Sequence, residues 1–129
     1  MTAKSEHSEQ AAVIDWCRRM SVQYPELDLI FAIPNGGALT SRIDRRGRRY
    51  SPQAAKLKAE GLRAGVPDLF LPVPIRYWHG LFIEMKLPGR VASREQENFI
   101  TAMRHRGYDA VVCYSADDAI ARIKDYLRI

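Results

Sequence analysis

The segment Leu81-Phe82-Ile83-Glu84-Met85-Lys86 decides the fold. It is the clearest strand in the chain, and Pro88-Gly89 ends it. Side chains alternate across a strand, so Leu81, Ile83 and Met85 share one face and Phe82, Glu84 and Lys86 the other. A carboxylate and an ammonium therefore lie side by side in an otherwise apolar strand. Charges are costly near a core unless they are paired or hold a metal. Two readings fit: a salt bridge at a wet strand end, or a chemical site.

Upstream, Val66-Pro67-Asp68 opens a second strand, expected over Leu69 to Val73. Pro72 and Pro74 limit it, so it should end early or lie beside an edge. Tyr77 to Gly80 is expected as the turn between the two strands. If they pair as a hairpin, Asp68 and Glu84 converge at one end of the sheet. Two carboxylates beside a lysine suit a hard divalent cation such as Mg²⁺ or Mn²⁺. Such an ion polarises a phosphoryl oxygen and lowers the pKa of bound water. A lysine can orient that water or offset developing negative charge.

Further elements follow from periodicity and caps. Val13, Trp16, Cys17 and Met20 recur at helical spacing and predict a helix from about Ser8 to Val22. Leu29 to Ile33 is an apolar run expected as a strand, ended by the turn signal Pro34-Asn35-Gly36-Gly37. Ser51-Pro52 supplies a cap and a first-position proline for a helix that Gly61 stops. Ser93 begins a helix bearing Phe99, Ile100 and Met103, which closes near Gly107. Asp109 to Tyr114 is a strand, and Ser115 caps a last helix with Ala116, Ala119, Ile120, Ile123 and Leu127 on its apolar side. Alternation of this kind predicts an α/β fold, a mixed central sheet flanked by helices.

The 129 residues fit a single domain spanning 1–129, and the hydrophobic fraction of 47% can fill a core. The net charge of +5 favours an acidic partner such as nucleic acid, though many basic domains bind none. Cys17 and Cys113 lie in apolar surroundings without metal-ligand spacing and are expected as reduced core thiols. His7, His79 and His105 share no spacing, and none is expected as a base or ligand. No apolar signal region, membrane-length run or glycine-rich phosphate loop is present. The expectation is a cytoplasmic protein with no membrane contact and no nucleotide cofactor. Arg42, Arg45, Arg46, Arg48 and Arg49 crowd one stretch, expected as a mobile charged loop. It is either a solvated surface or a phosphate contact, which Lys56, Lys58 and Arg63 on the next helix extend.

Pro67-Asp68 followed by Glu84-Met85-Lys86 resembles the PD-(D/E)xK nuclease signature. Ile33 to Gly37, then GLRAGVPD over 61–68, LFIEMK over 81–86, SREQ over 93–96 and Gly107-Tyr108 follow in order. That series resembles the virus-type replication-repair nuclease family, VRR-NUC, from about Glu6 to Leu127. The resemblance implies a restriction-endonuclease-like fold. It implies Asp68, Glu84 and the Met85 carbonyl as ligands of Mg²⁺ or Mn²⁺, and Lys86 beside the attacking water. The family also uses a glutamate on its first helix, for which Glu6 and Glu9 both qualify, with Glu9 favoured. Gln96 is similar to a glutamine near the family's active site, and Ser93 to Gln96 also fits a capping box. Asn35, Gly36 and Gly37 resemble a turn near bound substrate, and a nuclease core favours DNA contact by the arginine stretch and Lys58.

The activity so implied is hydrolysis of phosphodiester bonds in branched DNA, as in Holliday-junction resolution, during replication, recombination or repair. Single-domain members resemble phage or bacterial proteins that act as homodimers. A flap or single-strand nuclease, and a module that binds branched DNA without cutting, are the alternatives.

Overall fold

A computed structural model describes residues 4–34 and 42–129. Helix α1 covers Glu6–Met20, two residues earlier at each end than its apolar spacing predicts. Ser5 and Ser8 account for the early start, since each hydroxyl accepts the other's backbone N–H in a reciprocal cap.

The run Leu29 to Ile33 is not one strand. Pro25 starts a single turn of 3-10 helix, Pro25–Leu29, that seats Leu27 fully in the core and leaves Leu29 half exposed. Only Phe31–Ala32 then pair, as β1. The arginine stretch is also ordered, not a loop. Arg42–Ile43 (β2) and Arg49–Tyr50 (β3) form a small antiparallel hairpin. Helix α2, Pro52–Ala59, begins where Ser51 accepts the Ala54 N–H. Arg63 lies beyond its end, with its guanidinium 5.6 Å from the Phe99 ring centre.

The remaining elements follow their caps closely. They are β4 (Leu69–Leu71), β5 (Leu81–Met85), α3 (Arg94–His105), β6 (Asp109–Cys113) and α4 (Ala116–Leu127). β4 ends early because Pro72 has no N–H to donate. The turn into β5 comes a residue sooner than Tyr77, with Arg76 and Tyr77 between the bridged pair Ile75 and Trp78.

The main sheet runs β1-β4-β5-β6. β1 and β4 pair antiparallel, as do β4 and β5, while β5 and β6 are parallel across the α3 crossover. This is a mixed sheet. Alternation along β5 sorts the core in two. Leu81, Ile83 and Met85 join Val13 and Cys17 of α1 and Ile123 of α4 on one face. Phe82 packs with Ile100 of α3 and Ala110 on the other. Leu69, Leu71, Leu81 and Ile83 are fully buried, each contributing about 1.5–3 kcal/mol. Both cysteines are buried and unpaired, and burial pushes their thiols up to about 11 for Cys17 and about 12 for Cys113. Among the described residues no helix is long and apolar enough to cross a membrane.

Candidate active site

The antiparallel register of β4 and β5 sets Leu69 opposite Ile83. One step further along, Asp68 reaches the end of β5, where its Oδ2 accepts the Met85 backbone N–H at 2.8 Å. The Asp68 backbone is pinned from the other side, its carbonyl accepting the Ile33 N–H at 2.8 Å. Glu84 is on the α3 face of β5 and only 3% exposed.

Helix α3 meets Glu84 with its first turn. Gln96 closes the capping box, its Oε1 accepting the Ser93 N–H at 2.8 Å. Its Nε2 donates to Glu84 Oε1 at 2.9 Å. One side chain thus both caps the helix and faces the carboxylate, and the cap fixes which end of the amide does so. Lys86 Nζ lies 3.9 Å from the same Glu84 Oε1. Glu84 Oε2 is buried with no hydrogen-bond partner.

Charge in this corner is poorly neutralised. Burial, and then the Asp68 charge, push Glu84 up to about 8, with Lys86 pulling the other way. Asp68 is raised by burial and by the Glu6 charge, against the pull of the Met85 N–H. An orphaned buried carboxylate oxygen beside a second carboxylate is a donor set a hard cation takes. No group of three or more His, Cys, Asp and Glu side chains at metal-ligand spacing occurs among the described residues. Mg²⁺ commonly uses only one or two carboxylates and keeps waters on its other positions, so the pair fits it.

The first helix supplies Glu6 to this corner and sends Glu9 elsewhere. Glu6, Ile33, Pro34 and Asp68 line a cleft of about 310 Å³, along with His7 and Gln10. Glu9 Oε1 instead accepts the Ala116 N–H at 3.3 Å, at the start of α4. The sequence leaves these two acids open because α4 starts a hundred residues later. His7, set aside as a base or ligand, borders the cleft, and its position one residue after Glu6 is the signal for that. Arg45, Arg46, Arg48, Arg49, Lys56 and Lys58 are exposed. Asn35, Gly36, Gly37 and the Arg42 side chain lie outside the described residues.

A mixed sheet that brings two carboxylates and a lysine to one strand end, with helices on both faces, is the PD-(D/E)xK nuclease arrangement. The chain belongs to the VRR-NUC family of virus-type replication-repair nucleases: the model of the VRR-NUC domain matches residues 4–117. It is thus a nuclease of the DNA-binding kind. A solved VRR_NUC domain protein is 28% identical, with a TM-score of 0.79 over 99% of this chain and 92% of that one. A search of curated proteins finds no match.

Proposed function

We propose that the chain is a metal-dependent endonuclease that hydrolyses phosphodiester bonds in branched DNA, acting as a homodimer. The observation that carries it is the buried, unpartnered Glu84 Oε2 beside Asp68, at a strand end that also bears Lys86. Asp68, Glu84 and the Met85 carbonyl would hold Mg²⁺ or Mn²⁺, and Glu6 replaces Glu9 as the helical acid because Glu9 is engaged at α4. The ion when bound supplies Lewis-acid activation of a water and of the scissile phosphate.

The chain's own groups do the rest. Gln96 holds Glu84 Oε1 and so leaves Oε2 free for the ion. Lys86 orients the attacking water and offsets charge as the phosphorus gains its fifth oxygen. Attack in line breaks the P–O3′ bond and leaves a 5′-phosphate and a 3′-hydroxyl. The exposed arginines of the β2–β3 hairpin and the lysines of α2 suit contact with backbone phosphates. Such contacts position a duplex without reading its sequence, which favours selection by DNA shape.

A panel of labelled four-way junctions, flaps, single strands and linear duplexes in Mg²⁺ or Mn²⁺ tests this, with product ends mapped. Junctions should be nicked to 5′-phosphate ends, and Glu84→Ala should abolish cutting while binding survives. Light scattering should give the mass of a dimer. Cutting of flaps or single strands alone would replace the branched substrate with those. No cutting in either metal would overturn the nuclease reading for this chain and leave a binding module.

A further inference from the structure

His7, Ala11, Ile14 and Arg18 fall at helical spacing on α1 and form one row along its surface. The row is set aside from the buried stripe of Val13 and Cys17, which faces the sheet. It lines a second cleft, of about 220 Å³, with Gln10 and Asp15 at its sides. His7 and Gln10 belong to both this cleft and the one that holds Glu6 and Asp68. The two clefts therefore lie side by side, meeting at His7 and Gln10, and together trace a groove from the carboxylates along α1. From His7 to Arg18 it runs roughly 16 Å along the helix axis.

The lining has the chemistry of a strand path. Ala11 is small and exposed, which keeps the floor open, and Ile14 is half-buried below it. The one acid alongside, Asp15, is neutralised by Arg19, whose Nε is 3.0 Å from its Oδ2. No ion pair engages Arg18 among the described residues. Among the described residues the groove thus offers imidazole, amide and guanidinium groups along its length, ending on a cation with no ion pair.

We propose that this groove binds the backbone of one nucleic-acid strand where it leaves the scissile phosphate, with Arg18 on a phosphate and Gln10 and His7 nearer the cut. The proposal rests on the nuclease reading above. Arg18 and Arg104 supply an internal comparison: both are exposed and equal in charge, but only Arg18 lines the groove, while Arg104 is on α3.

Binding of a labelled four-way junction is measured in EDTA over a range of salt. Arg18→Ala should weaken it roughly ten-fold, the size of one charge-assisted hydrogen bond. It should also flatten the log–log salt slope by about 0.7–0.9. Arg104→Ala should stay within about two-fold of the unsubstituted chain. Equal effects of the two substitutions would overturn the groove while leaving the nuclease reading intact. No binding by the unsubstituted chain in EDTA would overturn the groove, and the nuclease reading would then stand or fall on cutting in Mg²⁺ or Mn²⁺.

A second measurement does not depend on affinity. Cys17 and Cys113 are fully buried, so a thiol introduced as Ala11→Cys is the one a maleimide reaches. Bound DNA should slow its alkylation several-fold and leave Ala102→Cys, on the exposed side of α3, unaffected. Protection that rises with protein concentration and ignores DNA would overturn the proposal in favour of an interface between copies.

Discussion

The end of β5 and the β2–β3 hairpin both carry functional candidates among their charges, and they hold them in opposite ways. Glu84 is almost wholly buried: Gln96 and Lys86 reach its Oε1, while Oε2 is left without a hydrogen-bond donor and the Asp68 carboxylate lies against the side chain. The described side chains of the hairpin are exposed, apart from the half-buried Asp44. The hairpin's order comes from this one acid, whose carboxylate accepts the Arg46 and Arg48 N–H groups at 2.9 and 2.8 Å. Buried charge is expensive but geometrically fixed, which chemistry at an atom requires. Exposed charge is cheap and screened by salt, which suits attraction to a polyanion. Damage to the first should therefore appear in kcat, and damage to the second in affinity.

The largest expected effect is that of Glu84→Gln. It keeps the shape and removes the anionic ligand, so kcat should fall by at least about 10³-fold. The same change should stabilise the protein at alkaline pH. Glu84 titrates near 8 in the folded chain against an ordinary 4.5. Between those values the folded state carries a proton that the unfolded state has lost. Stability therefore falls as pH rises through this window, by on the order of a few kcal/mol. Glu84→Gln should flatten that fall in thermal melts at pH 5 to 9. Mg²⁺ favours the ionised form, so the rise in Tm that it gives the unsubstituted chain should grow with pH. A melting temperature whose change from pH 5 to 8 without metal is the same in Glu84→Gln as in the unsubstituted chain would contradict the burial of this group.

Next comes a test of how the buried site keeps its geometry. Gly65, at φ +88, lies so close to α3 that a Cβ there would be 2.5 Å from the Glu95 carbonyl oxygen. Glu95 precedes Gln96, and Gly65 is three residues before Asp68. The contact thus ties the loop of one carboxylate to the helix that holds the other. Gly65→Ala must move one of them by about 1 Å, and a misplacement of that size can cost roughly 100-fold in rate. Gly61, at φ +110, has nothing within 4 Å of its would-be Cβ. Gly61→Ala carries similar backbone strain without the collision. It should lower Tm as Gly65→Ala does and leave kcat within a few-fold. Equal loss of kcat in both would mean that the effect is strain alone.

The two regions also differ in how far the sequence reveals them. Period-two alternation around Glu84 and Lys86 and the Pro67-Asp68 opening place the site, because they are local patterns that the core must obey. Ser51, Ser93 and Ser115 place three helix starts for the same reason. What the sequence hides depends on distant partners. Glu6 and Glu9 are one turn apart, and only the arrival of Ala116 beside Glu9 separates them. Leu29 to Ile33 has the composition of a strand, but Pro25 and the fit of Leu27 under α1 make its start helical. In the arginine stretch the charge masks a turn signal that is present, Asp44 with Gly47 three residues later, at φ +78.

That turn gives the smallest expected effect and the sharpest limit on the comparison. Asp44→Ala removes the acceptor for two backbone N–H groups and the Arg48 guanidinium, whose Nε is 3.2 Å away. The hairpin should fray, and global stability should change by only about 1 kcal/mol, as for the loss of an exposed cap. If the arginines act by charge alone, affinity for DNA should hold or rise slightly, since an acid has gone from a basic patch. If the hairpin must present them in register, affinity should fall a few-fold despite the added net positive charge. Replacing Arg45, Arg46, Arg48 and Arg49 by alanine sets the scale, since the log–log salt slope should flatten by about 0.9 for every phosphate no longer neutralised. An unchanged slope would remove the hairpin from the interface, and kcat at saturating DNA should be the same in every case.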